Sequence, residues 1–533
     1  MKPFISGKYC FFLIIAIIGC QPKQQPPNIL FILSDDHTSQ AIGAYNSRFT
    51  YLNPTPTIDR LAEEGMLFQN VFCTNAICTP SRATIMTGQY NHTNGVRDLY
   101  DSLPVERQHL PLELKKAGYQ TAVVGKWHVR TSPEAFDYYK VLPGQGQYYD
   151  PVLYSRDEGE LNEVRIDSKL TRQLRIKKYE GHSSDVLTDI TLDWLQNKRN
   201  KNQPFFLMHN FKAPHDMFEP ARRYDQYLEN VDFPEPETGY EPEWGSIATR
   251  GKNDSLVHYI GASLGKRNHI RNMGKDLKID RDLIADEYRE RAYQTYMKRY
   301  FRCVKGIDDN LKRIFDYLEN NDLMENTIII YSADQGFFMG EHDFIDKRWM
   351  YEESLRMPLL IRYPRMIPPG SLNNWIINNT DFAPTILDLA GLPAPEYMQG
   401  KSLLPALQGE KQPSDWRQAH YYRYWMHMAH NHNNPAHFGL RTDRYKLIFF
   451  YGTDFIKNGE AENDGNRFRP DTPVAWELYD LKNDPHEKVN IYEELRGSKE
   501  VQKLKAMLMK VRAEIGDTDQ EYPHIDKIVQ SNW

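Results

Sequence analysis

The stretch Asn28-Ile-Leu-Phe-Ile-Leu-Ser-Asp-Asp-His37 decides the fold. From Asn28 to Leu33 it is apolar on both faces, without the alternation of a half-exposed strand, and it stops at two acids. A short run of this kind reads as a central strand of a parallel sheet, covered by helices on both sides. Its polar carboxyl end lies where open α/β sheets bind ligands.

The same handover recurs along the chain. Thr57 to Gly65 reads as a short helix. Leu112 to Ala117 also reads as helix, and the strand Thr121-Ala-Val-Val124 then delivers Gly125-Lys126-Trp127-His128. An amphipathic helix over Asp185 to Gln196 precedes the strand Phe205-Phe-Leu-Met208, which leads to Asn210 and His215. A long helix within Arg281 to Glu319 precedes Thr327-Ile-Ile-Ile-Tyr331, which ends at Ser332-Ala333-Asp334-Gln335. This alternation predicts an α/β fold: a large, mostly parallel sheet flanked by helices, with four strands delivering polar groups to one edge. Residues 143 to 180 and 235 to 283 show weak periodicity and are expected to form lids or mobile loops. A composition break falls near Pro405 to Ser414. Beyond it, Ala419 to Trp425, Gly439 to Tyr451 and Ala475 to Asp480 predict a smaller antiparallel sheet, and Ser498 to Ile515 a closing helix. The chain thus divides into a catalytic domain over 28–405 and an α+β subdomain over 415–533.

The bulk numbers bound the function. Hydrophobic residues make up 40% and charged residues 26% of the 533, as in ordinary globular proteins. A formal net charge of −6 argues against nucleic acid as a partner, which calls for a basic excess. At the N-terminus, Lys2 and Lys8 precede a short apolar run, Phe11 to Ile18, that ends in Ile17-Ile18-Gly19-Cys20. The run is too short to span a bilayer and reads as a lipoprotein signal peptide over 1–19, with lipidation of Cys20 and a tether over 20–27. Membrane contact through the lipid alone then places the protein at the cell envelope of a Gram-negative bacterium, on the periplasmic face or the outer-membrane surface. With Cys20 lipidated, only Cys73, Cys78 and Cys303 remain as possible free thiols, too few for a disulfide scaffold; a Cys73–Cys303 bridge stays open.

Cys78-Thr79-Pro80-Ser81-Arg82, followed by Thr87-Gly88, carries the sharpest chemistry, although taken alone it also fits a buried cysteine at a helix start. Asp35, Asp36, Asp334 and Gln335 offer side-chain oxygens that suit a hard cation, Ca²⁺ or Mg²⁺. No Cys/His set has zinc spacing.

In these residues the chain resembles the formylglycine-dependent sulfatases of the alkaline phosphatase superfamily, whose modification signature is C-x-P-S-R extended by T-G. Gly125-Lys126-Trp127-His128, Ala213-Pro214-His215, Ser332-Ala333-Asp334-Gln335-Gly336, Asp346-Lys347-Arg348 and Trp476-Glu477-Leu-Tyr-Asp480 match further family elements in order. The resemblance implies that a formylglycine-generating enzyme oxidises Cys78 to formylglycine. One hydroxyl of its hydrate would attack sulfur; the other would later expel sulfate. It implies a metal site of Asp35, Asp36, position 78, Asp334 and Gln335. Gln335 departs from the Asn or His of many relatives, keeping an amide oxygen but adding a methylene relative to Asn. Arg82 and Lys126 would hold the hydrate, and His128 would act as base. His215 and Lys347 would bind sulfate oxygens, and either would protonate the leaving group.

The substrate candidates are His92, Arg97, His342, Asp343, Arg348 and His437. His437 belongs with His427, His430 and His432 to an expected pocket-edge loop. Trp349, Trp425 and Tyr148 are candidates for stacking on sugar rings. The segment Asp334 to Pro358 is similar to polysaccharide sulfatases of Bacteroidetes-type bacteria. This implies an exo-acting enzyme on a sulfated carbohydrate, with ulvan-type polysaccharide placed ahead of N-acetylglucosamine-6-sulfate glycans. Two rivals stand beside this reading: a phosphonate or phosphodiester hydrolase of the same superfamily, and a catalytically inactive glycan-binding lipoprotein.

Overall fold

Asn28–Ser34 is buried along its whole length and pairs in parallel with Thr327–Ala333 on one side and Phe205–Asn210 on the other. The computed structural model describes residues 26–533 except 166–170, 239–243, 250–261, 264–276, 281, 430–431 and 457–468. The signal segment, Cys20 and His430 therefore lie outside the described residues. Gln120–Lys126 continues the parallel set beside Phe205–Asn210, and Tyr138–Leu142 follows it. The parallel centre is thus the one that the apolar runs predict.

Both flanks bring in antiparallel pairs, so the eleven-stranded sheet as a whole is mixed. Leu359–Arg362 runs antiparallel to Thr327–Ala333. At the far side Val152–Ser155, Thr171–Lys178 and Glu160–Arg165 add an antiparallel meander. This corrects the loop expectation for part of 143–180. Around Leu174 and Ile176 the stretch alternates apolar with charged residues, because the outer strands have one wet face; such charges also guard a sheet edge.

Alternation along the first strand splits the core in two. Ile29, Phe31 and Leu33 face one cluster, shared with Ala83, Ile85 and Met86 of the helix Cys78–Thr87. Leu30 and Ile32 face the other, shared with the helices Ser183–Asp193 and Ala285–Asn320. Ala419–Tyr424, His437–Thr442, Tyr445–Phe450 and Ala475–Asp480 form a separate antiparallel sheet. The span read as one strand over Gly439 to Tyr451 is a hairpin, turned where the Thr442 hydroxyl accepts from the Tyr445 amide at 2.9 Å. Lys499–Ile515 forms the closing helix, and a further one, Pro523–Asn532, follows it. Cys73 and Cys303 are both buried free thiols, which closes the question of a bridge. Among the described residues no helix is long and apolar enough to cross a membrane.

One glycine controls how Lys126 leaves its strand. Gly125 has φ +109°, and a Cβ there would collide with the backbone carbonyl of Asn210 on the neighbouring strand. Gly125→Ala should cost about 2–3 kcal/mol and should lower activity by displacing Lys126. Urea unfolding and turnover measured together check this; an unchanged midpoint would refute it.

Candidate active site

Because the central strands are parallel, their carboxyl ends share one edge. Asp35 and Asp36 follow Asn28–Ser34, Asp334 and Gln335 follow Thr327–Ala333, Lys126 ends Gln120–Lys126, and His215 lies just beyond Phe205–Asn210. Cys78 opens the helix Cys78–Thr87, all ten residues of which are buried. Position 78 therefore sits in the first turn, at the positive end of the helix dipole. Gly88, in the left-handed conformation at φ 65°, ends the helix.

The groups interlock. Arg82 donates from Nε to Asp334 at 3.0 Å and from a terminal nitrogen to the Lys126 carbonyl at 2.8 Å; its other terminal nitrogen lies 3.4 Å from Asp35. Lys126 donates to Asp35 and to the Gln145 side-chain oxygen, and its Nζ lies 3.9 Å from Cys78 Sγ. Lys347 donates to both oxygens of Asp36 at 2.6 Å. His215 Nε2 lies 3.7 Å from Asp36, and its Nδ1 pairs with Asp216. Asp36, His128, Asp346 and Arg348 all adopt left-handed backbone, with φ of 66°, 51°, 75° and 90°. Such strain in non-glycine residues collects at functional sites.

Burial dominates the electrostatics. It pushes the Cys78 thiol well up, with Asp35 adding to the effect, so position 78 holds no thiolate near neutrality. Burial also raises Asp36 and Asp334. Asp35 would rise too, but Lys126, His215 and Arg82 hold it well below the usual carboxylate range. Burial and Lys126 push the His128 imidazole down and keep it neutral, and its buried Nδ1 has no partner among the described residues. Lys347 would fall on burial, but Asp36 holds its ammonium well above the ordinary value.

The residues fit a divalent cation. One oxygen each of Asp35, Asp36 and Asp334 lies within 4.8 Å of the others. Gln335 adds a buried amide oxygen that has no partner among the described residues. Oxygen donors with several carboxylates suit Ca²⁺ or Mg²⁺. Asp35, Cys78 and His215 form a second group that meets the same distance condition.

A cavity of about 400 Å³ opens over these groups, with Cys78, His215, Lys347 and Arg348 in its wall. His432 also lines it, as the pocket-edge reading of its loop predicts, with Nδ1 3.1 Å from Asp346. The other substrate candidates do not line this cavity. His92 meets the Ile515 carbonyl at 2.8 Å, and Arg97 lies over the Phe455 ring and pairs with Tyr522. Both tie the main domain to the C-terminal segment. His342 stacks on Trp244 at 3.8 Å, its neighbour Asp343 is buried outside the lining, and His437 packs against Trp349 and Phe450. Trp349, Trp425 and Tyr148 are buried supports, not open sugar platforms.

Among the lining residues that escaped the sequence reading of the site are Gln145, Lys212, Asp216, Asp346 and Met217. Lys212 and Asp216 flank Ala213-Pro214-His215 and Asp346 precedes Lys347, so proximity to motifs was their available signal. Gln145, on a loop after Tyr138–Leu142, carried none.

Residues 27–392 match the family model described as Sulfatase. The chain belongs to the sulfatase family. It is an enzyme, a sulfuric ester hydrolase with the alkaline phosphatase-like fold. Residues 340–465 of this sulfatase also match the model described as N-sulphoglucosamine sulphohydrolase, C-terminal. It is 36% identical to an N-acetylglucosamine-6-O-sulfatase of Bacteroides thetaiotaomicron, over 95% of this chain and 90% of that one. A solved structure of a protein in complex with its substrate D-glucosamine-2-N,6-O-disulfate is 35% identical, with TM-score 0.79 over 93% of this chain and 99% of that chain. An ulvan-active sulfatase of Formosa agariphila is 26% identical over 88% of this chain and 76% of its own length.

Proposed function

We propose that this sulfatase removes a 6-O-sulfate from a terminal glucosamine-type sugar, N-acetylated or N-sulfated, with formylglycine at position 78 and a bound divalent cation. The observation that carries the reading is the cavity with Cys78 in its wall, ringed by Lys126, Lys347 and His215 beside three buried carboxylates. The similarity at 36% to an N-acetylglucosamine-6-O-sulfatase supports the sugar and moves it ahead of ulvan, for which the relative stands at 26%. The size of the cavity, near the lower end for ligand pockets, supports attack on a chain end.

Formylglycine made from Cys78 by a maturation enzyme would supply, as its hydrate, an oxygen nucleophile where the raised thiol supplies none. A cation held by Asp35, Asp36, Asp334 and Gln335 would offset the charge of the ester. Lys126 and Arg82 fix the position-78 group by the contacts given above. Neutral His128 accepts a proton at its ring nitrogen, while His215 and Lys347 face the sulfate and carry a proton to the leaving oxygen. Export and lipidation at Cys20 would place the reaction at the cell envelope, where polymeric glycans arrive.

The test is a panel of defined substrates: N-acetylglucosamine-6-sulfate, glucosamine-2-N,6-O-disulfate, sulfated ulvan oligosaccharides and an aryl phosphodiester. Products are read by mass and NMR. We expect loss of the 6-O-sulfate from the glucosamine substrates. Preference for the phosphodiester, or glycan binding with unmodified Cys78 and no sulfate release, would overturn the reading.

A further inference from the structure

The turn that carries His215 into the cavity also carries Lys212. The His215 amide donates to the Lys212 carbonyl at 3.1 Å, closing the turn. Lys212 is only 4% exposed, yet its side chain lines the cavity with Cys78 and His215. Among the described residues no carboxylate reaches its ammonium at ion-pair distance and no acceptor at hydrogen-bond distance. Its neighbour is the face of Tyr148, with Nζ 4.6 Å from the ring centroid. Tyr148 is itself fixed, since its hydroxyl donates to the His215 carbonyl at 2.5 Å.

The remaining site cations are matched from within the protein. Arg82 holds Asp334 and Asp35, Lys126 holds Asp35, and Lys347 holds Asp36. Lys212 forms no ion pair of its own among the described residues: burial and Lys126 push its ammonium down from the ordinary lysine value, and the more distant carboxylates of Asp35, Asp216 and Asp36 offset this only in part. An aromatic face compensates a buried ammonium weakly, whereas an arriving anion compensates it fully. The cavity delivers one anion at every turnover, the sulfate group of the substrate.

We propose that Lys212 is a substrate-binding residue of this sulfatase, whose ammonium contacts a non-bridging oxygen of the sulfate group bound over position 78. The contact exists in the ground state as well as in the transition state, so its loss raises KM more than it lowers kcat. It also binds the sulfate product. The inference rests on the family assignment and not on the sugar, so a failed sugar panel leaves its test standing.

The probe is inorganic sulfate, titrated calorimetrically into the mature, metal-loaded enzyme and its Lys212→Met and Lys212→Arg variants. Lys212→Met is expected to weaken sulfate binding by about 10- to 100-fold and to raise KM similarly, with a smaller fall in kcat. Lys212→Arg, which keeps the charge, should recover much of the loss. Sulfate affinity and KM unchanged in a folded Lys212→Met would overturn the proposal. If that variant does not fold, the unmutated enzyme decides. Saturating sulfate should protect Lys212 from acetylation by acetic anhydride, read by peptide mass spectrometry, and labelling that ignores sulfate would equally overturn it.

Discussion

Cys78→Ala should reduce sulfate release by about 10⁴- to 10⁶-fold, the scale on which removing a covalent nucleophile acts. Cys78→Ser should fall as far unless the host also oxidises serine. A serine could attack sulfur, but it would remain a sulfate ester, with no second hydroxyl on its carbon to expel the sulfate. The unmodified thiol is no substitute, because burial and Asp35 hold it protonated near neutrality. The check is turnover by each variant together with mass spectrometry of the peptide spanning position 78 in the active enzyme. Full activity in protein whose position 78 is unmodified cysteine would refute the formylglycine reading. Expression in a host with the maturation enzyme is essential, since unmodified protein would imitate a dead variant.

Stripping the enzyme with a chelator should abolish turnover and lower the melting temperature, and Ca²⁺ or Mg²⁺ should restore both. Asp35, Asp36 and Asp334 are fully buried and bring oxygens within 4.8 Å of one another. Such a group is unfavourable when its members ionise together without a cation, and burial indeed raises two of the three. An ion that binds only the folded chain, supplied at about 100 times its Kd, adds about 2.7 kcal/mol. A thermal melt of stripped enzyme with and without added ion reads this apart from catalysis. A melting temperature indifferent to both ions would sink the metal assignment.

Much of the site was legible because its groups lie at strand ends. A strand buried on both faces must be apolar throughout, so the first polar residues after Leu33, Val124, Met208 and Tyr331 mark one edge of the sheet. Asp35, Asp36, Lys126, His215, Asp334 and Gln335 converge there through the parallel register. The substrate wall was far less legible. His92, Arg97, His342 and His437 carry the same side chains as a sugar-binding wall, but each is engaged elsewhere by residues distant in sequence. Gln145 lacks any motif and Lys212 only neighbours one, and it is their place in the wall of the cavity with Cys78 that brings them forward.

Local sequence therefore determined the parallel centre of the sheet, the cysteine motif at position 78 and the acids beside it, because apolar periodicity and strand ends are properties of consecutive residues. Tertiary structure alone decided three other matters. It set antiparallel pairs into both sheet flanks, since pairing at an edge depends on which distant strand arrives. It turned five of the six proposed substrate residues away from the cavity. It left Lys212 facing that cavity with no carboxylate at ion-pair distance among the described residues, because whether a charge is paired depends on neighbours that only folding brings together.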